Sequence, residues 1–164
     1  MSLKGTMLVF DTSSIVHAWD NYPIDQFPSL WTWLAGEFDS RNICLSEVVL
    51  GEVEEVSPDC HTWLGNQDVN YLPISDQIAT EAVGYKALLE IGAHFGGGVG
   101  ENDLFIVATA RVYGVELVTN EALQKTLPKT KANYKIPALC AMQEVKVTSC
   151  NFLDYLRRSK VVFG

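Results

Sequence analysis

The sequence lacks a Cys-x-x-Cys pair, a long apolar run, a phosphate-cradle motif and an excess of positive charge. Each absence closes off a class of function. The four cysteines (Cys44, Cys60, Cys140 and Cys150) have no zinc-like spacing, even with His61 beside Cys60. Reduced thiols are expected, with Cys44 in an apolar strand and Cys140 on a helix acting as small buried hydrophobes. No apolar run reaches the roughly 18 to 20 residues that cross a bilayer. The N-terminus has no basic segment followed by a long apolar one. Neither a membrane span nor a signal peptide is expected, and the expected location is the cytoplasm. The glycines at 96, 97, 98 and 100 do not fit GxxxxGK[ST], so they read as a flexible turn. His17, His61 and His94 show no paired spacing and read as packing or surface residues.

Twelve Lys and Arg stand against twenty Asp and Glu, a net charge of −8. That balance argues against tight, sequence-independent binding to a polyanion, which usually needs a basic surface. The basic residues gather late, at Lys125, Lys129, Lys131, Lys135, Lys146, Arg157, Arg158 and Lys160. Such asymmetry fits one cationic face on an acidic body.

At 164 residues, nearly half of them apolar, the chain is long enough for one full core. We read residues 1–164 as a single domain, with 1–6 as a tag or disordered lead-in. The pattern alternates strands with helices. Strands are expected at 7–10, 43–45, 69–72, 115–118 and 145–148. Helices are expected at 13–19, from 27, 47–56, from 76, 102–113, 138–143 and 151–158, with a short helical turn at 61–64. Hydroxyls near residue 13, Ser46, Asp76 and Asn151 are the expected caps, and Gly114 is the expected stop. Strands separated by helices imply a parallel sheet covered on both faces.

Ligands bind beyond the carboxyl ends of the strands in such sheets. Asp11 ends the first strand, and Glu52 lies on the helix after the second. Asp103 sits in the first turn of the helix after the glycines, and Glu121 follows the fourth strand. Side-by-side parallel strands would gather all four at one edge. Clustered carboxylates call for a cation, and all-oxygen sites suit Mg²⁺ or Mn²⁺. The ordinary readings stand beside this one. Asp103 can be a helix cap, Glu52 can belong to a solvated face with Glu54 and Glu55, and Glu121 can be a loop residue.

The run of motifs resembles the PIN-domain nucleases. Asp11-Thr12-Ser13 ends a strand, and Ser46, Val49 and Glu52 form Ser-x-x-Val-x-x-Glu. Asn102, Asp103, Ile106, Ala108 and Ala110 form Asn-Asp-x-x-Ile-x-Ala-x-Ala, and Thr119 with Glu121 closes the set. The stretches at 27–34 and 135–140 resemble an uncharacterised bacterial branch of PIN-like proteins related to toxin–antitoxin ribonucleases. The resemblance implies a three-layer α/β/α sandwich with a central parallel sheet. It implies a divalent-metal-dependent endoribonuclease that cuts single-stranded RNA with metal-activated water, as the toxin of a toxin–antitoxin pair. Asp11, Glu52, Asp103 and Glu121 are then the catalytic metal ligands, with Ser13 and Thr119 orienting them. The cofactor is Mg²⁺ or Mn²⁺, and the partners are RNA, an antitoxin protein and a second copy of the chain, with no membrane. One departure is Glu121, where the family usually has aspartate. A haloacid-dehalogenase-like phosphatase would need a second aspartate where Ser13 stands. A degenerate, metal-free binding module on the same fold is the competing reading.

Overall fold

The computed structural model describes residues 6–164. Residues 1–5, most of the expected lead-in, lie outside the described part. Among the described residues the chain runs β1 (Leu8–Phe10), α1 (Thr12–Asn21), α2 (Pro28–Asp39), β2 (Ile43–Ser46), α3 (Val49–Val56) and α4 (Pro58–Gly65). It continues through β3 (Tyr71–Leu72), α5 (Asp76–Leu88), α6 (Glu101–Tyr113) and β4 (Glu116–Val118). A 3₁₀ turn at Lys131–Asn133, α7 (Ile136–Ala141), β5 (Ser149–Cys150) and α8 (Phe152–Ser159) complete it. All strand pairs are parallel, in the order β3-β2-β1-β4-β5.

The strands are short and both faces of the sheet are covered. Val9 and Phe10 point to opposite faces and are both buried. Phe10 packs edge-on against Phe152 and Tyr155 of α8, with ring centroids 6.3 and 5.0 Å away. Beside them Trp31 of α2 meets Trp19 of α1 at 5.2 Å and Trp63 of α4 at 4.8 Å. On the other face α6 crosses β1, β2 and β4 and packs against α5 and α7. Its Leu104, Ile106, Val107 and Ala108 are buried. The expected three-layer α/β/α sandwich is therefore the observed fold.

Local departures from the sequence reading have local causes. α1 is capped by Asp11 itself, whose side chain accepts from the Ser14 N–H, not by a hydroxyl. Ser46 is not a cap, because it remains in the ladder opposite Leu72, and α3 begins after Val48 with no side-chain cap. α5 is capped by Ser75 instead of Asp76, its hydroxyl accepting from Ile78 N at 3.2 Å. Residues 61–64 are part of the longer α4, which Pro58 opens. Pro137 lies in the first turn of α7, which therefore starts at Ile136 rather than 138. The last strand is at Ser149–Cys150, not 145–148. Lys146 has φ of 49°, which interrupts an extended run, and Val147 N bonds to Cys140 O at 3.1 Å. Gly114 stops α6 at φ 65°, as expected.

All four cysteines are free, with Cys44 buried in β2 and Cys140 in α7. No described helix is long and apolar enough to cross a membrane. The connections from β1 go to β2 on one side, and β4 occupies the other side. The gap between the carboxyl ends of β1 and β4 is therefore the place where such sheets bind ligands.

Candidate active site

Asp11 lies at that gap. Its backbone N–H continues the sheet to Val118 O at 3.0 Å, and its side chain is only 2% exposed. Oδ1 accepts from Ser14 N at 2.8 Å, and Oδ2 accepts from Thr119 Oγ1 at 2.6 Å. Ser13 Oγ lies 2.9 and 2.8 Å from the two oxygens. The loop after β4 is tied to the same group through those hydroxyls. Asn120 N donates to Ser13 Oγ at 2.9 Å, and Glu121 N donates to Thr119 Oγ1 at 3.2 Å. Each hydroxyl accepts from the loop and donates its own hydrogen bond to the carboxylate. Burial pushes the Asp11 pKa up to about 6, against the pull of the Thr119, Ser13 and Ser14 bonds.

The other three acids stand on neighbouring elements of the same edge. Glu52 is in the first turn of α3, and its Oε1 accepts from Thr12 Oγ1 at 2.7 Å. Thr12 directly follows Asp11, so this bond joins the heads of α1 and α3. Asp103 is in the first turn of α6, and its Oδ2 accepts from Gly100 N at 2.8 Å. This is half of a capping box, since Gly100 has no side chain to return the bond. The cap reading of Asp103 is therefore satisfied by one oxygen, while Oδ1 accepts no hydrogen bond among the described residues. Glu121 is half-buried just beyond β4.

The three acids feel one another. Burial raises the Glu52 pKa most, with the Thr12 bond opposing it and the Asp103 charge adding to it. Burial also raises Asp103, against the Gly100 N–H. Glu121 is raised by burial first and by Asp103 next, with Lys135 pulling it down. This is a carboxylate cluster in which a single lysine is the only cation acting on any of the four groups among the described residues. Among the described residues no group of three His, Cys, Asp or Glu side chains is placed to hold a metal ion. Mg²⁺ and Mn²⁺ do not need one, because they take one or two carboxylates and keep several waters. An all-oxygen donor set with repelling charges fits such an ion.

The basic residues do not make one face. Lys125, Lys129, Lys131 and Lys135 lie on the segment between β4 and α7, whereas Lys146 and Arg158 share a cavity with Arg111 at the amino ends of β4 and β5. The open cleft of about 630 Å³ beside Glu52 is lined by Glu47, Glu54, Glu55 and Asn102 as well. His17 packs on Phe152 and His61 pairs with Glu54 at 3.9 Å, so neither stands against one of the four acids. Sequence reasoning missed Thr12 and Asn120 as members of the network. Thr12 carried a signal, a hydroxyl next to the strand-ending acid. Thr119→Val keeps the shape but leaves the Glu121 N–H without its acceptor and takes one hydroxyl donor from Asp11 Oδ2. It is expected to cost about 1–3 kcal/mol in urea unfolding of the metal-free protein.

Residues 8–163 match the family described as "Domain of unknown function (DUF4411)". No curated protein sequence matches the chain. Among solved structures, a chain of VapBC2 from Rickettsia felis, bound to a DNA fragment from their promoter, is similar at 17% identity and a TM-score of 0.56. The match covers 89% of this chain and 98% of that one. A chain of DNA-bound VapBC from Salmonella typhimurium is similar at 20% identity and a TM-score of 0.54, covering 90% of this chain and 98% of that one. At these identities the likeness establishes the fold.

Proposed function

We propose, for a chain that belongs to the DUF4411 family, that it is a divalent-metal-dependent endoribonuclease acting on single-stranded RNA, and the toxin of a toxin–antitoxin pair. What supports this reading is the mutual influence of Glu52, Asp103 and Glu121, opposed by one lysine, together with the buried Asp11 that ends β1 at the switch point of the sheet. The PIN resemblance and the shared fold with VapBC chains support the toxin assignment, and the partner proposed for this chain is a cognate antitoxin. Residues 1–164 form one PIN-like domain in this proposal.

Asp103 and Glu52 would hold the cation, with Asp11 and Glu121 beside them. A bound Mg²⁺ or Mn²⁺ supplies Lewis acidity for water to attack phosphorus. The chain's own residues do the rest. Ser13 and Thr119 fix the Asp11 carboxylate by two hydroxyl bonds, as groups behind a ligand do. Thr12 fixes Glu52, so that two acids from different helices keep their spacing. Glu121, longer than the usual aspartate, is tethered through its own N–H to Thr119.

The purified protein is expected to cut a single-stranded RNA in Mg²⁺ or Mn²⁺ and to stop on addition of EDTA, read on a denaturing gel. Cleavage that persists in EDTA sinks the metal mechanism. One observation favours a metal-free binding module instead: three donors already engage the Asp11 carboxylate. RNA binding with no cleavage in any divalent metal would select that module.

A further inference from the structure

The segment that carries the lysines does not hang free. Gln124 closes it with both ends of its side-chain amide: Nε2 donates to Asn133 O at 3.0 Å, and Oε1 accepts from Lys135 N at 2.8 Å. The closed segment then sits directly on the glycine run. A Cβ at Gly98 would fall 2.3 Å from Tyr134 O and 2.6 Å from Ala132 O, distances that no side chain tolerates. Val99 N donates to Tyr134 O at 2.9 Å, and Gly97 N donates to Asn133 Oδ1 at 3.3 Å. The glycines are thus a seat for backbone rather than the flexible turn the sequence suggested. The same strip leads two residues later into Gly100, which Asp103 caps. Lys135 and Asp103 are therefore positioned from one piece of backbone.

Lys135 is half-buried and is the cation that acts on Glu121. The cleft beside Glu52 offers only carboxylates and an amide as charged or polar side chains, so a polyanion has no attractive approach there. We propose that Lys135 contacts a phosphate of the RNA strand beside the acids, and that Gln124 and Gly98 are positioning residues that hold it there. This rests on the RNA reading above, and the test separates the two.

Binding of a fluorescent single-stranded oligoribonucleotide is measured by anisotropy in EDTA, where cleavage is off, across a salt series. Wild type is expected to bind, and Lys135→Ala to bind more weakly. Loss of one phosphate contact should also flatten the plot of log K against log salt by about 0.7. Lys135→Arg is expected to keep the wild-type slope. Gln124→Ala and Gly98→Ala are expected to weaken binding several-fold in proteins that still melt cooperatively. Gln124→Ala carries the positioning test where Gly98→Ala does not fold. An unchanged slope in Lys135→Ala overturns the phosphate contact, and wild-type affinity in Gln124→Ala overturns the clamp. Wild type that binds no RNA overturns the proposal, whereas binding without cleavage in Mg²⁺ overturns only the nuclease reading.

Discussion

Asp103→Asn is expected to stabilise the metal-free protein while lowering cleavage by more than about 100-fold, the upper range for loss of a group that merely orients a metal ligand. The two effects have one cause. Asparagine can still accept from Gly100 N, so the cap survives. What disappears is a half-buried negative charge that raises the proton affinity of Glu52 and Glu121. Wild type should gain stability with Mg²⁺, about 2.7 kcal/mol at a hundred times its Kd, because the ion binds only the folded state. Asp103→Asn should gain little. Four melting curves, each protein in EDTA and in Mg²⁺, read this directly. Parallel curves for the two proteins, with no response to Mg²⁺ in either, would make the aspartate a cap and nothing more.

The second large effect is a fall in the stability of the metal-free protein as pH rises from about 4 to 6. Asp11 has a pKa of about 6 in the folded protein against 3.8 for the ordinary group. Folded protein therefore binds more protons than unfolded protein in that window, and stability drops with pH. Below the unfolded value both states are protonated and nothing is lost. Above the folded value the whole loss is present, roughly 3 kcal/mol for a shift of about two units. Glu52, Asp103 and Glu121 shift in the same direction and steepen the fall. Asp11→Asn, which can keep the cap to Ser14, should flatten it, and saturating Mg²⁺ should flatten it in wild type by competing with protons. Urea unfolding at intervals from pH 4 to 7 in EDTA checks the sign. Stability that climbs through this window would mean that Asp11 is ionised at little cost.

The parts of the site that were legible in the sequence are those written in local pattern. An acid after a run of strand residues, and acids in the first turns of helices, mark Asp11, Glu52 and Asp103 because strand ends and helix starts share one edge of a parallel sheet. The orienting roles of Ser13 and Thr119 are what the family resemblance implies, and what the structure adds is a hydrogen bond from each to Asp11. Caps were misplaced by a residue or more wherever several candidates adjoin, as at Ser75 and Asp76 or at Asp11 and the hydroxyls after it. There the choice turns on backbone angles that composition does not reveal. The last strand was misplaced because a β-branched run at 145–148 outweighs Ser149–Cys150 in propensity, yet the turn at Lys146 breaks it. The seat of the lysine segment was out of reach altogether. Gly97 and Asn133 are 36 residues apart, and glycine clusters read alike whether they flex or carry the backbone of a distant segment.

The hydrogen bond from Thr119 to Asp11 joins residues 108 apart, and that span also sets an order in time. A chain leaving the ribosome at roughly 5–20 residues per second presents Asp11 some 5 to 20 seconds before Thr119 has been made. During that interval β1 has no β4 beside it, the acid has lost half of its hydroxyl support, and Glu121 does not exist. A nascent chain that ends just past Asp103 thus holds three of the four acids without the strand that assembles them. Whatever chemistry the finished edge performs is withheld, by chain order alone, until β4 and Glu121 have been made.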